Sequence, residues 1–176
     1  MRLFFAAYPD EAAREAIDAA VRALDFGDGA RRVGAENYHM TLAFAGDVPN
    51  AGAAAVRALG PVELPAFTVR FDAYEHWPKS EVAVIAARQC PAALRALHHD
   101  LRAHLARQGL ARDPRPFQPH VTIARKVSQP PVFQAMSEFV WTVSDFQLVR
   151  SVRSVSGSVY TVLDSWPLLD KASRAD

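Results

Sequence analysis

The sequence holds a single cysteine, Cys90, so an internal disulfide is excluded and a reducing compartment fits. Neither sign of charge is in surplus: 20 Lys+Arg face 19 Asp+Glu, for a formal net charge of +1. A long nucleic-acid footprint needs a clear basic excess, so any such contact here is expected to be short or terminal. Long hydrophobic runs are also missing, and no stretch approaches the roughly 20 apolar residues of a membrane span. The apolar run from Leu3 to Tyr8 is shorter than the roughly 7–15 residues of a signal-peptide core. The cytoplasm is the expected compartment. No low-complexity segment or linker divides the chain. The absence of a phosphate-cradling Gly-rich loop and of a lysine-nucleophile motif argues against an ATP-dependent ligase.

What is present reads as an ordinary globular chain, long enough for one core or for two small lobes sharing one. Residues 2–8 form a predicted strand. A helix opens at Pro9-Asp10 and buries Ala13, Ile17, Val21 and Leu24 at three- and four-residue intervals. Strands are expected at Tyr38–Ala45, Phe67–Tyr74, Glu81–Ala87, Gln118–Arg125, Trp141–Val152 and Ser158–Leu163. Residues 51–59 and Val132–Phe139 are predicted short helices. A longer helix starts near Pro91, buries Leu94, Leu97, Leu101 and Leu105, and stops at Gly109.

One pattern stands out within these elements. His-x-Thr-x occurs twice, as His39-Met40-Thr41-Leu42 and His120-Val121-Thr122-Ile123, each inside a predicted strand. With 6 His in the chain, chance placement gives roughly 0.2 such pairs. Strand alternation puts His39, Thr41, Ala43 and Ala45 on one face, with Met40, Leu42 and Phe44 turned to the core. Likewise His120, Thr122 and Ala124 oppose Val121 and Ile123. Residues i and i+2 of a strand lie roughly 6.5–7 Å apart on one face, so a histidine and a threonine can reach one phosphate together. Histidine titrates near pH 6.5, so one imidazole can accept a proton while its partner donates one. This is the equipment for opening a cyclic phosphate without a metal.

The two motifs, in His39-Met40-Thr41-Leu42-Ala43-Phe44 and Pro119-His120-Val121-Thr122-Ile123-Ala124-Arg125, resemble those of the two-histidine phosphoesterases, most closely the RNA 2′,3′-cyclic phosphodiesterase (2′-5′ RNA ligase) family. Arg2-Leu3-Phe4-Phe5-Ala6 at one end, and Ser154, Gly157, Tyr160 and Trp166-Pro167-Leu168 at the other, are similar to the same family. The resemblance implies an α+β fold. It is bilobal, with two antiparallel β-sheets and flanking helices related by pseudo-two-fold symmetry, and its active-site cleft lies between the lobes. Residues 1–176 are then a single two-lobed phosphoesterase domain, expected to be a monomer. The resemblance also implies metal-independent hydrolysis of RNA 2′,3′-cyclic phosphate ends to 2′-phosphomonoesters, without a cofactor. His39 is the implied proton donor and His120 the implied proton acceptor. Thr41 and Thr122 hold phosphate oxygens, and Arg125 lies near the phosphate. Alternation, however, puts Arg125 on the face opposite His120, and it puts Phe44, another family position, in the core. The expected partners are RNA 3′ ends or nucleotides carrying a cyclic phosphate. The alternatives are ADP-ribose 1″,2″-cyclic phosphate, a 2′-5′ linkage, or an RNA-end-binding or ATP-independent RNA-joining protein.

Other candidates have plainer readings. His98, His99 and His104 share a predicted helix without a zinc spacing and read as surface residues. Arg31, Arg32, Arg112, Arg115, Lys126, Arg150 and Arg153 are candidates for an RNA-facing rim, with solvated loop charge as the competing reading. Tyr8, Tyr38 and Trp77 can stack on a base, but core or loop packing is the preferred reading for each.

Overall fold

The computed structural model describes residues 1–110, 116–154 and 157–169; Arg112 and Arg115 of the candidate rim lie outside them. The strands are β1 (Arg2–Ala7), β2 (Arg31–Arg32), β3 (Met40–Asp47), β4 (Phe67–Phe71), β5 (Ala73–Trp77), β6 (Val82–Ala86), β7 (His120–Arg125), β8 (Phe139–Val143), β9 (Asp145–Ser154) and β10 (Gly157–Pro167). The helices are α1 (Glu11–Arg22), α2 (Asn50–Arg57) and α3 (Ala92–Arg107). Local chemistry accounts for the two long helices. Asp10 caps α1 by accepting the Ala13 N–H at 2.8 Å, and Ala13, Ile17 and Val21 make its buried stripe. In α3, Leu94, Leu97, Leu101 and Leu105 are buried, and Gly109, at φ +68°, takes the left-handed turn that ends it.

The large sheet runs β10-β9-β1-β3-β7-β6-β5, with β2 also on β7, and every paired strand is antiparallel. Its two halves meet where the motif strands touch, through one register pair, Met40↔Val121. Around that junction the topology repeats. β1–α1–β3 and β6–α3–β7 are each an outer strand, a helix and an antiparallel motif strand, with β9 and β5 flanking the outer strands. A separate two-stranded sheet, β4-β8, ties the halves a second time, because β4 runs on into β5 and β8 into β9. Of the two long helices, α3 packs on β3 and α1 on β8. Between them lies the core, including Phe5, Phe71, Trp141 and Phe146, all fully buried.

Three expected elements differ. Residues 132–138 are not a helix; the chain there is irregular and enters β8 at Phe139. Phe133 and Met136 pack against the core from this irregular segment, and the Phe133 ring stacks on Tyr74 at 5.4 Å. A helix that short is held by packing alone, and here the packing is satisfied without it. The expected strands Phe67–Tyr74 and Trp141–Val152 are each broken, at Asp72 and Ser144, where the chain passes from the small sheet to the large one.

Candidate active site

The pair Met40↔Val121 sets the geometry of the site. Antiparallel continuation one residue each way brings Thr41 towards His120 and His39 towards Thr122. Met40 and Val121 point into the core at 0% exposure. The four motif side chains therefore share the opposite face, and all four line one cleft of about 720 Å³. A volume in this range suits a nucleotide-sized ligand.

Each motif histidine is held the same way. The His39 Nδ1–H donates to the Asn37 carbonyl at 2.7 Å and the His120 Nδ1–H to the Gln118 carbonyl at 2.8 Å. A carbonyl only accepts, so Nδ1 carries the proton and Nε2 is the basic nitrogen of the neutral ring.

Simple alternation fails just beyond each threonine, and for the same reason. Against β1, Ala6 pairs with Thr41 but Phe5 pairs with Ala43, so Leu42 is an extra residue. Against β6, Val84 pairs with Thr122 but Ala83 pairs with Ala124, so Ile123 is extra. A β-bulge reverses the parity of everything after it. Leu42 and Ala43, like Ile123 and Ala124, thus all face the core. Phe44 and Arg125, five residues after their histidines, both return to the cleft. This corrects the expectation that Phe44 is a core residue and that Arg125 faces away from His120. Ala45 also departs from the expected face, since the same reversal that turns Phe44 to the cleft turns Ala45 to the core. The bulge carbonyls are both satisfied, Leu42 O by the His98 Nδ1–H at 2.6 Å and Ile123 O by the Val33 N–H at 2.9 Å.

The surroundings of the two imidazoles differ. His39 lies among aromatic rings, with centroids 5.2 Å from Phe4, 5.0 Å from Tyr160 and 5.9 Å from Tyr8. Burial lowers its pKa to about 4; the Asn37 hydrogen bond opposes this, while the charges of Arg125 and His120 add to it. His39 is therefore neutral at pH 7. His120 instead packs on the Trp77 ring, with centroids 4.4 Å apart.

Sequence reasoning missed several cleft residues. Trp77 lines the cleft, against the packing role preferred for it, whereas Tyr38 is a core residue at 1% exposure. His98 also lines the cleft, stacked on Phe117 at 4.0 Å. His104 is buried and donates from Nε2 to the Val56 carbonyl at 3.0 Å, so of the three helix histidines only His99 is on the surface. His98 and Arg102, one turn apart on α3, were a legible polar pair on a leucine-striped helix. Arg2, Arg102, Arg125 and Arg153 line the cleft, and among the described residues no Asp or Glu does. The Arg2 guanidinium sits 4.8 Å above the Phe44 ring. Among the described residues no helix is long and apolar enough to cross a membrane, and no three His, Cys, Asp or Glu are grouped to hold a metal.

Comparison with known proteins agrees with this geometry. The model of the 2′-5′ RNA ligase superfamily matches residues 8–154. The RNA 2′,3′-cyclic phosphodiesterase of Escherichia coli (strain K12) is 36% identical over 147 residues, which cover 80% of this chain and 81% of the relative. A crystal structure of a phosphoesterase superposes with a TM-score of 0.89 at 33% identity, covering 96% of this chain and 98% of that one. Escherichia coli LigT complexed with 3′-AMP gives a TM-score of 0.82 at 34% identity, covering 95% of this chain and 97% of that one. On the family match and on these identities, the chain belongs to the 2′-5′ RNA ligase superfamily.

Proposed function

We propose that this chain is an RNA 2′,3′-cyclic phosphodiesterase that opens the cyclic phosphate at an RNA 3′ end to a 2′-phosphomonoester, using two histidines and no metal. One observation carries the reading: two His-Thr pairs share one face of a cleft that is lined, among the described residues, by four arginines and by no carboxylate. A cyclic phosphate bears one negative charge, and its transition state concentrates more charge on the phosphoryl oxygens.

In the proposed reaction His120 accepts a proton from water as the water oxygen bonds to phosphorus. The P–O3′ bond breaks, and His39 donates a proton to the leaving 3′ oxygen. Thr41 and Thr122 donate hydrogen bonds to the phosphoryl oxygens, and Arg125 adds a fixed positive charge. The likeness to the relatives supports assigning His39 as donor, since the motifs alone are near-symmetric. A neutral His39 is no acid, so the substrate must charge it: a bound phosphate anion raises the imidazole pKa. Residues 1–176 act as one two-lobed catalytic domain and as a monomer, since one chain supplies every group named, and the single cysteine fits the reducing cytoplasm.

The cleft volume of about 720 Å³ also suits a mononucleotide, ADP-ribose 1″,2″-cyclic phosphate or a 2′-5′ linkage. In the RNA-joining alternative a 5′-hydroxyl takes the place of water: its oxygen bonds to phosphorus, the P–O3′ bond breaks, the 3′ oxygen takes up the proton, and a 2′-5′ linkage results. The deciding experiment incubates the protein with an oligonucleotide ending in 2′,3′-cyclic phosphate, in EDTA, beside the small substrates. A 2′-monophosphate product, lost in His39→Ala and His120→Ala, is the expected result. Unchanged turnover in either variant removes the proposal, and faster turnover of a small substrate reassigns the substrate.

A further inference from the structure

The two motifs are near-copies, yet among the described residues only His120 has a carboxylate that holds both the residue supplying its carbonyl and an aromatic ring packed on it. Glu75 lies on β5, paired with Val84, and Trp77 is paired with Val82. Val82 and Val84 are the partners of Arg125 and Thr122, so Glu75 and Trp77 stand on the cleft face. The Glu75 carboxylate accepts two hydrogen bonds: Oε2 from the Trp77 Nε1–H at 2.8 Å and Oε1 from the Gln118 Nε2–H at 2.7 Å. Both partners then reach His120. The Trp77 ring lies 4.4 Å from the imidazole centroid, tilted by 59°. The Gln118 backbone carbonyl accepts the His120 Nδ1–H at 2.8 Å. The result is a closed circuit, from Glu75 to Trp77 to His120 to Gln118 and back.

We propose that Glu75 is a positioning residue for His120. Through Trp77 it fixes the plane against which the imidazole rests, and through Gln118 it fixes the carbonyl that sets the tautomer. The chemistry matches at each contact. An ionised carboxylate only accepts, an indole N–H only donates, and the amide presents its NH₂ group. The His39 half lacks this device. The Asn37 side chain bonds its neighbour Glu36, which is exposed, and the ring is packed by Phe4, Tyr8 and Tyr160. Glu75 thus gives His120 a polar brace where His39 has a packing of aromatic rings.

The inference rests on His120 being a proton-transfer group, so its test reads the imidazole and the turnover separately. In Glu75→Ala, and in Gln118→Met, which removes the amide but keeps the backbone carbonyl, the His120 Nδ1–H resonance should exchange faster with water. Turnover of the cyclic-ended oligonucleotide should fall roughly 10- to 100-fold in kcat, with KM within about twofold. Glu75→Gln keeps one acceptor oxygen and should give an intermediate loss. If Glu75→Ala does not fold, Gln118→Met and Glu75→Gln carry the test. A merely structural staple between β5 and the β7 approach predicts a lower Tm with an unchanged Nδ1–H signal and unchanged kcat, and that result overturns the inference. If the wild type lacks the activity while the variants still change the Nδ1–H exchange, the positioning role stands and the proposed activity falls.

Discussion

The sharpest consequence of the proposed mechanism is that substrate should charge its own acid, His39. His39 starts with a pKa of about 4, chiefly from burial among Phe4, Tyr8 and Tyr160. A phosphate oxyanion about 4 Å from the ring attracts the imidazolium by about 4 kcal/mol at an effective dielectric of about 20. At about 1.4 kcal/mol per pH unit, that is roughly three units, enough to carry His39 from about 4 to near neutrality. The assay is an NMR titration of the imidazole Hε1 resonances, assigned with His39→Ala, with and without saturating inorganic phosphate. The free protein should titrate His39 near pH 4, and the phosphate complex two to three units higher (about 6–7). The reasoning is refuted if phosphate binds, as judged by other cleft resonances, and the His39 midpoint stays where it was. A free midpoint near 6.5 would equally remove the desolvation argument.

The same burial links folding to pH. His39 titrates near 6.5 when unfolded and near 4 when folded, so the unfolded chain binds the extra proton. The stability this group contributes is intact above pH 6.5 and is lost as pH falls towards 4, by up to about 3 kcal/mol. Denaturant midpoints over that range should flatten in His39→Ala. Arg125→Ala should raise KM for the cyclic substrate and move the free His39 midpoint upward by a fraction of a unit, since the Arg125 charge holds it down; NMR and steady-state kinetics check the two halves. Thr41→Val and Thr122→Val should each lower kcat/KM roughly tenfold or more by removing a hydroxyl donor, with Tm nearly unchanged. Trp141→Ala, emptying a site at 0% exposure, should cost about 3–5 kcal/mol in urea unfolding.

Much of the site was legible because it is local. A His-x-Thr spacing and an alternating apolar pattern are properties of a few consecutive residues, and both motif strands formed where the pattern put them. Even so, β3 begins one residue after His39, whose Nδ1 bond to the Asn37 carbonyl belongs to the approach to the strand. The leucine stripe of α3 was equally plain. His104 was not, because a histidine on a helix declares its burial only when a distant segment arrives, here Val56, whose carbonyl accepts from it.

The sequence alone determined the chemistry on offer: two imidazoles and two hydroxyls, each pair set on one face of a strand by the pleat. It also determined that the chain has an ordinary core and a balanced charge. Tertiary structure decided the rest. Leu42 and Ile123 become bulges only through their register against β1 and β6, and no local pattern encodes a hydrogen-bond partner that far along the chain. Those two extra residues turn Phe44 and Arg125 into the cleft. Packing then made near-identical motifs unequal, enclosing His39 in aromatic rings and bracing His120 through Trp77 and Glu75, because an imidazole's proton affinity and orientation are set by the groups the fold brings around it.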